Sequence, residues 1–311
     1  MNLLYHQAIG VSKVIHKKIK LSETAYLEAY IPDESISYQV KKKWPALIIC
    51  PGGAYMISAV KEGEAVALQF LAQGYACFVL RYSTFLKNRE ALQMELAEID
   101  ETAYYPTQIL QLMTAMHLIR ESGDEWGVDT KNIFTIGFSA GAHIAGMAAT
   151  RWKDETLIRQ LDFVPKLGEL KPTGTLLCYP MLTGPQRDEQ LQVSGFQIDM
   201  MELCLAGHTS LNNEEKAALC VGNYISSETA PIFIWHTQED KVTQATDTTK
   251  FVEQLQQAGV SCEYHLFQNG QHGLSIANEQ YAKVAEDINK EVQLWLPLAF
   301  NWMKGMIKYV G

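Results

Sequence analysis

Short apolar runs recur along the chain and are separated by segments in which apolar residues return at helical spacing. The runs fall at 45–50, 74–82, 132–136, 175–180, 231–236 and 261–267. Unbroken runs of this length are typical of strands that are buried on both faces, as in a parallel sheet. The helical spacing predicts helices over 62–73, 102–121, 142–149, 245–258 and 278–303, the last one broken at Pro297. Strands that alternate with helices predict an α/β fold, with a mostly parallel central sheet and helices on both faces.

Three stretches depart from this alternation. Residues 11–40 alternate apolar and polar positions in places, which predicts antiparallel edge strands. Residues 83–101 are mixed and receive no assignment. Residues 181–230 hold short helical segments and no strong strand, so we interpret them as a helical cap inserted over the carboxyl edge of the sheet. We interpret the whole chain, residues 1–311, as a single domain that carries this insertion.

The charge balance argues against a polyanionic partner. The 311 residues include 26 Lys and Arg against 35 Asp and Glu, a formal net charge of −9. Because the chain has no basic stripe to neutralise phosphates, we expect neither nucleic acid nor an anionic membrane surface as a partner. No apolar run reaches the roughly 18 residues that a membrane-spanning helix needs.

The cysteines and the first residues of the chain bear on the compartment. The six cysteines are scattered without a C-x-x-C pair, and several lie in apolar runs. We therefore expect buried thiols in a reducing compartment rather than a disulfide framework. Residues 1–10 lack the basic head and apolar stretch of a signal peptide, so we expect a cytoplasmic protein. Assembly into a homo-oligomer stays open.

The pentapeptide Gly137-Phe138-Ser139-Ala140-Gly141 lies between the apolar run at 132–136 and a small-residue helical segment. G-x-S-x-G between a strand and a helix is typical of a nucleophile elbow, in which a strained turn exposes the serine hydroxyl. The helix N-terminus behind the serine supplies N–H groups and a partial positive charge where an oxyanion would form. The alternative is a glycine-rich turn with an incidental serine.

A serine nucleophile needs a base, and the base needs an orienting acid. In chain order after Ser139, Asp240 follows the strand predicted at 231–236, and His272 follows the last predicted strand. Both loops come at carboxyl ends of strands, so we predict a Ser139–Asp240–His272 triad. Glu239 is the rival acid, and a solvated loop side chain is the alternative for His272. We expect His143, inside the helix after the elbow, to make a structural hydrogen bond instead.

An oxyanion hole is predicted from two segments. One donor is the N–H of Ala140, the residue after the nucleophile. The others are the N–H groups of Gly53 and Ala54, in the Pro-Gly-Gly-Ala-Tyr loop at 51–55 that follows an early strand. An ordinary strand-ending turn is the alternative for this loop. No Asp/Glu/His cluster has metal-ligand spacing and no dinucleotide or Walker glycine pattern is present, so we expect neither a metal nor a cofactor.

These segments resemble a known family. The chain is similar to the α/β-hydrolases, close to the hormone-sensitive-lipase-like esterases and especially to small bacterial carbohydrate (acetylxylan-type) esterases. The resemblance runs from about residue 44 to the end of the chain and is weakest over 83–101 and 181–230. Its motifs are the segments at 50–55 with 62–64, 74–75 with 80–82, 126–129 leading to 137–143, and the loops of Asp240 and His272. The family's oxyanion loop commonly reads H-G-G-G, whereas here Pro51 and Ala54 replace the histidine and the last glycine, and Ala142 replaces a second glycine found in many relatives.

The resemblance implies a serine carboxylic-ester hydrolase that acts on short acyl groups, acetyl in particular, carried by a sugar or another small alcohol. The aromatic residues Tyr55, Tyr82 and Trp235 are candidates for stacking on a sugar ring, with packing in the core as the alternative, and the core is the expectation for Trp235. Two alternatives stay open. One is a serine peptidase of the prolyl-oligopeptidase type, and the other is a catalytically silent binding protein that keeps the fold.

Overall fold

The computed structural model describes residues 14–33, 43–87, 98–186 and 193–307. The strands within these residues form one eight-stranded sheet. Its strands are β1 (Val14–Lys20), β2 (Tyr26–Pro32), β3 (Trp44–Cys50), β4 (Ala76–Arg81), β5 (Val128–Phe138), β6 (Gly174–Cys178), β7 (Ile232–Thr237) and β8 (Cys262–Phe267). The spatial order is β1-β2-β4-β3-β5-β6-β7-β8. Every pair from β4 through β3 to β8 is parallel, whereas β2 is antiparallel to both of its neighbours. The predicted parallel sheet with antiparallel edge strands is therefore confirmed over the described residues.

Helices cover both faces of this sheet. Those of the described residues are α1 (Glu64–Leu71), α2 (Thr107–Ser122), α3 (Ala140–Arg151), α4 (Glu155–Ile158), α5 (Gly195–Ala206), α6 (Asn213–Ala218), α7 (Ala245–Gln257) and α8 (Trp295–Met306). One hydrophobic cluster contains buried residues of α2, α3 and α7, and a second contains those of α1 and α8. None of the described helices combines the length and the apolar character that crossing a membrane would require.

Strand β3 illustrates why the apolar runs are continuous. Ala46, Ile48 and Cys50 belong to the first cluster, whereas Leu47 and Ile49 belong to the second. Successive side chains of a strand point to opposite faces, so a strand with a helix layer on each side needs apolar residues at every position. All five of these residues are fully buried.

The predicted C-terminal helix over 278–303 is wrong in its first half. Residues 278–294 form turns and two short 3-10 segments, Ala285–Asp287 and Val292–Leu294. Helix α8 begins only at Trp295, so Pro297 lies in its first turn and does not break it. The first N–H groups of a helix have no partner within the helix, and proline, which lacks an N–H, is tolerated there.

The predicted insertion lies between β6 and β7, and we call its described residues, 181–186 and 193–230, the cap segment. Within those residues it contains α5, α6 and the 3-10 turn Val221–Tyr224, and no strand, whereas residues 187–192 lie outside the described part. The segment is attached to the body of the fold: the Tyr105 N–H, just before α2, donates to the Leu205 carbonyl at 2.9 Å. Residues 88–97, within the unassigned stretch 83–101, also lie outside the described part.

Candidate active site

Ser139 connects strand β5 directly to helix α3, with no loop between them. Its backbone is left-handed, with φ 53° and ψ −117°, a conformation that costs a non-glycine residue about 1–3 kcal/mol. Hydrogen bonds hold it there. The Ser139 N–H donates to the Cys178 carbonyl at 3.1 Å, and its own carbonyl accepts from the N–H of Ala142 at 3.0 Å. The serine is therefore held in a strained turn by the end of β6 on one side and by α3 on the other.

The two glycines that flank the elbow are required by close packing. A Cβ at Gly137 would lie 2.2 Å from the Gly141 carbonyl oxygen, and a Cβ at Gly141 would lie 2.0 Å from the Cys50 carbonyl oxygen. Neither neighbour is a flexible side chain, so any other residue would push α3 away from the sheet. The alternative of an incidental serine in a glycine-rich turn does not account for this geometry.

The structure brings Ser139, His272 and Asp240 together at the carboxyl edge of the sheet. His272 Nε2 lies 2.9 Å from Ser139 Oγ, and His272 Nδ1 lies 2.7 Å from Asp240 Oδ2. The three residues follow the ends of β5, β8 and β7, respectively. The Asp240 side chain is fully buried, whereas that of His272 is 16% exposed. The contacts match what a general base and its orienting acid require.

The carboxylate of Asp240 accepts hydrogen bonds on both oxygens. Oδ1 accepts from the N–H groups of Val242 and Thr243, at 2.8 and 3.0 Å. Burial alone would raise the pKa of Asp240, but hydrogen bonds from His236 and His272 outweigh burial and hold this pKa well below its usual range. Asp240 is therefore an anion under ordinary conditions. The rival acid Glu239 instead accepts from the Gly270 N–H at 3.1 Å.

His236 is a site residue that sequence reasoning missed, because its position at a strand end indicates only burial. Its Nε2 lies 3.2 Å from Asp240 Oδ2, and its Nδ1 lies 2.8 Å from Thr248 Oγ1. The spacing of four residues between His236 and Asp240, across the end of a strand, was the available signal.

The loop at 51–55 has the backbone geometry of an anion-binding turn. Gly53, Ala54 and Tyr55 all have positive φ, at 121°, 55° and 62°. The Gly53 carbonyl accepts from the N–H of Met56 and from that of Ile57, at 3.0 and 3.1 Å, which turns the loop back on itself. Successive residues in such turns point their N–H groups into one concavity.

The predicted oxyanion donors are available for a ligand. Within the described ranges, the N–H groups of Gly53, Ala54 and Ala140 donate no hydrogen bond to the protein. Ala140 is the first residue of α3, where backbone N–H groups have no partner inside the helix. A Cβ at the neighbouring Gly52 would lie 3.0 Å from the Cβ of Ser139, so the loop and the nucleophile are in direct contact.

The structure does not bring Tyr55 and Tyr82 to a substrate surface, which corrects the expectation that they stack on a sugar. Both rings are buried in the core, where Trp235 is buried as expected. The Tyr55 hydroxyl lies 2.6 Å from His143 Nδ1, and the Tyr82 hydroxyl donates to the Pro51 carbonyl at 2.6 Å. These tyrosines support the loop at 51–55 from behind. Sequence pattern alone does not distinguish the two faces of such a loop.

His143 makes the structural hydrogen bonds that were expected of it. Besides its contact with Tyr55, its Nε2 lies 2.7 Å from the Leu219 carbonyl oxygen in the cap segment. Nε2 therefore carries the hydrogen and Nδ1 accepts from the tyrosine hydroxyl. Burial lowers the pKa of His143 to about 4, and the bond to Leu219 offsets only part of this effect. The neutral ring links the loop at 51–55 to the cap segment.

A small cavity of about 80 Å³ opens beside the nucleophile. It is lined by Ser139, Ala54 and Ala140, and by apolar side chains of the cap segment and its flanks: Pro180, Met181, Leu182, Ile198, Met201 and Val242. The polar residues Thr183, Gln186, Gln244 and Asp247 also contribute to its lining. The lining of the cavity is mainly apolar.

One cluster elsewhere has the composition of a metal site. His117, Glu121 and Glu169 place ligand atoms within 4.8 Å of one another. These atoms are already engaged, since His117 Nδ1 lies 2.5 Å from Glu169 Oε1 and Glu121 pairs with Lys166 at 2.8 Å. Glu169 precedes β6 and lies at the amino edge of the sheet, away from Ser139. We interpret the cluster as an ion-pair network.

Known proteins share this architecture. MGS-M1, an α/β-hydrolase enzyme from a Medee basin deep-sea metagenome library, superposes with a TM-score of 0.70 at 26% identity, over 95% of this chain and 99% of that one. An acetyl ester-xyloside bifunctional hydrolase from Caldicellulosiruptor lactoaceticus gives a TM-score of 0.69 at 25% identity, over 94% of this chain and 97% of its own.

Sequence comparison extends this picture. Endo-1,4-beta-xylanase B of Butyrivibrio fibrisolvens is 25% identical over 257 residues, which are 82% of this chain and 35% of that protein. The chain spans about half or less of the length of the curated relatives that it matches. The BD-FAE family model matches residues 30–255, most of the chain. The chain therefore belongs to the BD-FAE family and has the α/β-hydrolase fold.

Proposed function

We propose that this protein is a serine carboxylic-ester hydrolase that acts on short-chain esters, acetyl esters of sugars or other small alcohols in particular. The observation that carries the proposal is the continuous hydrogen-bond chain from Ser139 through His272 to Asp240, beside N–H groups that donate to no protein acceptor. The alternatives are a serine peptidase and a catalytically silent binding protein.

In the proposed first half-reaction, Ser139 Oγ attacks the ester carbonyl carbon while its proton moves to His272 Nε2. Asp240 holds the ring with Nδ1–H pointing at its carboxylate and stabilises the imidazolium that forms. The carbonyl oxygen becomes an oxyanion that accepts hydrogen bonds from Ala140, Ala54 and Gly53. One such donor typically contributes about 3–4 kcal/mol to transition-state stabilisation.

The tetrahedral intermediate then collapses. The bond to the alcohol oxygen breaks, and His272 Nε2 returns the proton to that oxygen, which leaves as the free alcohol. The acyl group stays on Ser139. In the second half-reaction a water molecule takes the place of the alcohol, gives its proton to His272 and attacks the acyl carbon. Breakdown of this second intermediate releases the carboxylic acid and restores Ser139 Oγ–H.

The size of the cavity supports a short acyl group. At about 80 Å³ it is well below the roughly 300–1,000 Å³ of pockets that bind drug-sized ligands. The apolar side chains that line the cavity favour the methyl of an acetyl group over a charged acyl group. The bifunctional hydrolase from Caldicellulosiruptor lactoaceticus, named for acetyl esters, supports the same choice.

An ester panel tests the proposal. We expect hydrolysis of p-nitrophenyl acetate much faster than that of the decanoate, and loss of both activities in Ser139→Ala. Acetylated xylo-oligosaccharides and acetylated monosaccharides, measured for acetate release, distinguish the alcohols. Preference for the decanoate would overturn the short-chain assignment. Release of an amine from aminoacyl amides would favour a peptidase. Failure of a fluorophosphonate probe to label Ser139 in the folded protein would favour a silent binding protein.

A further inference from the structure

Glu62 is a buried carboxylate that the mechanism above does not use. It lies in the 3-10 turn Val60–Glu62, just after the loop at 51–55, and is only 3% exposed. Its Oε2 accepts from the Gly52 N–H at 2.7 Å, and its Oε1 accepts from the Tyr179 hydroxyl at 2.7 Å. Within the described residues no Lys or Arg forms an ion pair with it. Burying a carboxylate without an ion-pair partner is costly, so its presence calls for a reason.

The Gly52 bond acts on the loop that carries the predicted oxyanion donors. Among the N–H groups of residues 52–55, only that of Gly52 donates within the described structure, and it donates to Glu62. The Gly52 carbonyl accepts from Ala59 at 2.9 Å. With its N–H and its carbonyl both held, Gly52 sets the direction of the next two N–H groups, those of Gly53 and Ala54.

The Tyr179 bond acts on the loop that carries His272. Tyr179 directly follows β6, and its hydroxyl accepts from the Ser275 N–H at 3.1 Å while it donates to Glu62. The Tyr179 ring meets the His272 ring edge to face, with centroids 5.0 Å apart. A further hydrogen bond joins the His272 loop to the turn that carries Glu62: the Ser275 hydroxyl donates to the Lys61 carbonyl at 2.7 Å.

We propose that Glu62 and Tyr179 are positioning residues that hold the oxyanion loop and the His272 loop in fixed register around Ser139. The inference rests on the proposed ester hydrolysis and adds to it two residues that do not touch the reacting atoms. Hydrogen bonds to an ionised carboxylate are shorter and stronger than neutral ones. The anion can accept from both neighbours at once, which a neutral side chain of the same shape cannot do.

Burial raises the pKa of Glu62 above its ordinary value, and its bonds to Tyr179 and Gly52 and the nearby His272 offset only part of this rise.

The first experiment compares Glu62→Gln with wild type in hydrolysis of p-nitrophenyl acetate. The carboxamide keeps the shape but has one acceptor oxygen, so only one of the two partners can still donate to it. We expect kcat to fall about 10- to 100-fold, since small displacements of reacting groups have effects of this size. KM should stay within about twofold. Affinity for a trifluoromethyl ketone, which forms the oxyanion adduct, should fall by the same factor as kcat/KM.

Tyr179→Phe provides a second variant that keeps the ring against His272 and removes only the hydroxyl. We expect a smaller loss of kcat, again with KM unchanged. The double variant should be no worse than Glu62→Gln alone, because both changes interrupt one hydrogen-bonded unit. Glu169→Gln is the matched control. Glu169 is a buried glutamate that accepts a backbone N–H, that of Lys166, at the opposite edge of the sheet.

Wild-type kcat and ketone affinity in both Glu62→Gln and Tyr179→Phe would overturn the inference, even if Tm falls. If the losses of kcat in the two single variants add up in the double variant, Glu62 and Tyr179 do not act as one hydrogen-bonded unit. Failure of the proposed function is a separate result. In that case the wild-type protein hydrolyses no ester of the panel, and a fluorophosphonate does not label Ser139. The positioning role is then wrong as well, because it depends on the ester hydrolysis.

Discussion

His236 and His272 donate to the same carboxylate oxygen, Asp240 Oδ2, at 3.2 and 2.7 Å. His236 approaches from the end of β7, while His272 approaches from the loop after β8. Because a carboxylate oxygen only accepts, His236 Nε2 carries the hydrogen that faces Asp240, while its Nδ1 lies 2.8 Å from the Thr248 hydroxyl. The carboxylate is thus oriented by the His236 ring on one side and orients the proposed base on the other.

Asp240→Asn should reduce kcat for p-nitrophenyl acetate about 10⁴-fold, because the amide no longer holds the productive tautomer of His272. Glu239→Gln is the matched control, since it makes the same chemical change one residue away. Glu239 contacts the Gly270 N–H and not His272, so this variant should retain wild-type activity within about twofold. The reverse ranking of the two variants would identify Glu239 as the acid. Steady-state kinetics on purified, folded variants make the comparison.

Gly53→Ala should reduce kcat/KM by about 10²-fold or more, the cost of one misplaced oxyanion donor. A Cβ there would lie 2.1 Å from the Ile57 carbonyl oxygen, so the turn has to move. Gly168→Ala is the control, because Gly168 also has positive φ but a Cβ there meets nothing within 4 Å. Both variants strain the backbone, and only Gly53→Ala should lower affinity for the trifluoromethyl ketone. Equal ketone affinity in the two would contradict the assignment of the loop.

Met201→Ala should enlarge the cavity beside Ser139 and shift acyl-chain preference. Met201 lines the cavity from helix α5. A pocket contact with one methylene typically changes discrimination about tenfold. We expect the ratio of butyrate to acetate kcat/KM to rise by about that factor. Met200→Ala, at the neighbouring position of the same helix, removes a side chain that does not line the cavity. An unchanged ratio in Met201→Ala would show that this side chain does not limit the acyl group.

We expect the free energy of unfolding to fall between pH 7 and pH 5 because the His143 side chain is buried in its neutral form. Burial lowers the pKa of this ring from 6.5 to about 4, so the unfolded chain binds a proton that the folded protein excludes. The contribution of His143 to the free energy of unfolding is fully present above its pKa in the unfolded chain, 6.5. This contribution is lost as the pH falls toward about 4. Linkage gives a loss of about 2 kcal/mol in the free energy of unfolding between pH 7 and pH 5.

Urea denaturation at both pH values measures this loss, with His143→Gln as the comparison. The variant should lack most of the difference between the two pH values. Asp240, whose pKa is held low, loses its contribution only below the ordinary carboxyl range and does not affect this window. Equal pH dependence in wild type and His143→Gln would contradict the prediction.

The sheet was predictable from sequence because strands that are covered by helices on both faces consist mostly of apolar residues. The same rule predicted Cys50 and Trp235 as buried residues. Chain order and strand ends brought Ser139, Asp240 and His272 into one prediction, and the structure places their side chains within hydrogen-bond distance. The catalytic role of these residues stays a prediction.

The features that could not be predicted depend on the direction in which the side chains of a loop point. Tyr55 and Tyr82 are near the site along the chain, but their rings point into the core, and no periodicity exists in a turn to reveal it. Glu62 is a charged residue in a polar stretch, so its burial follows only from the folded loop around it. The helix predicted over 278–303 rested on apolar spacing, whereas the structure has turns over 278–294 and begins α8 at Trp295.

The attachment of the cap segment limits how a substrate can enter. The Met181 N–H donates to the Ser139 carbonyl at 3.2 Å, and the Leu182 carbonyl accepts from the Val221 N–H at 2.9 Å. The first residues of the cap segment are therefore hydrogen-bonded to the Ser139 peptide group, and moving them away would break this bond. If the proposed ester substrate enters past the cap segment, we expect Met181 and Leu182 to stay in place beside Ser139.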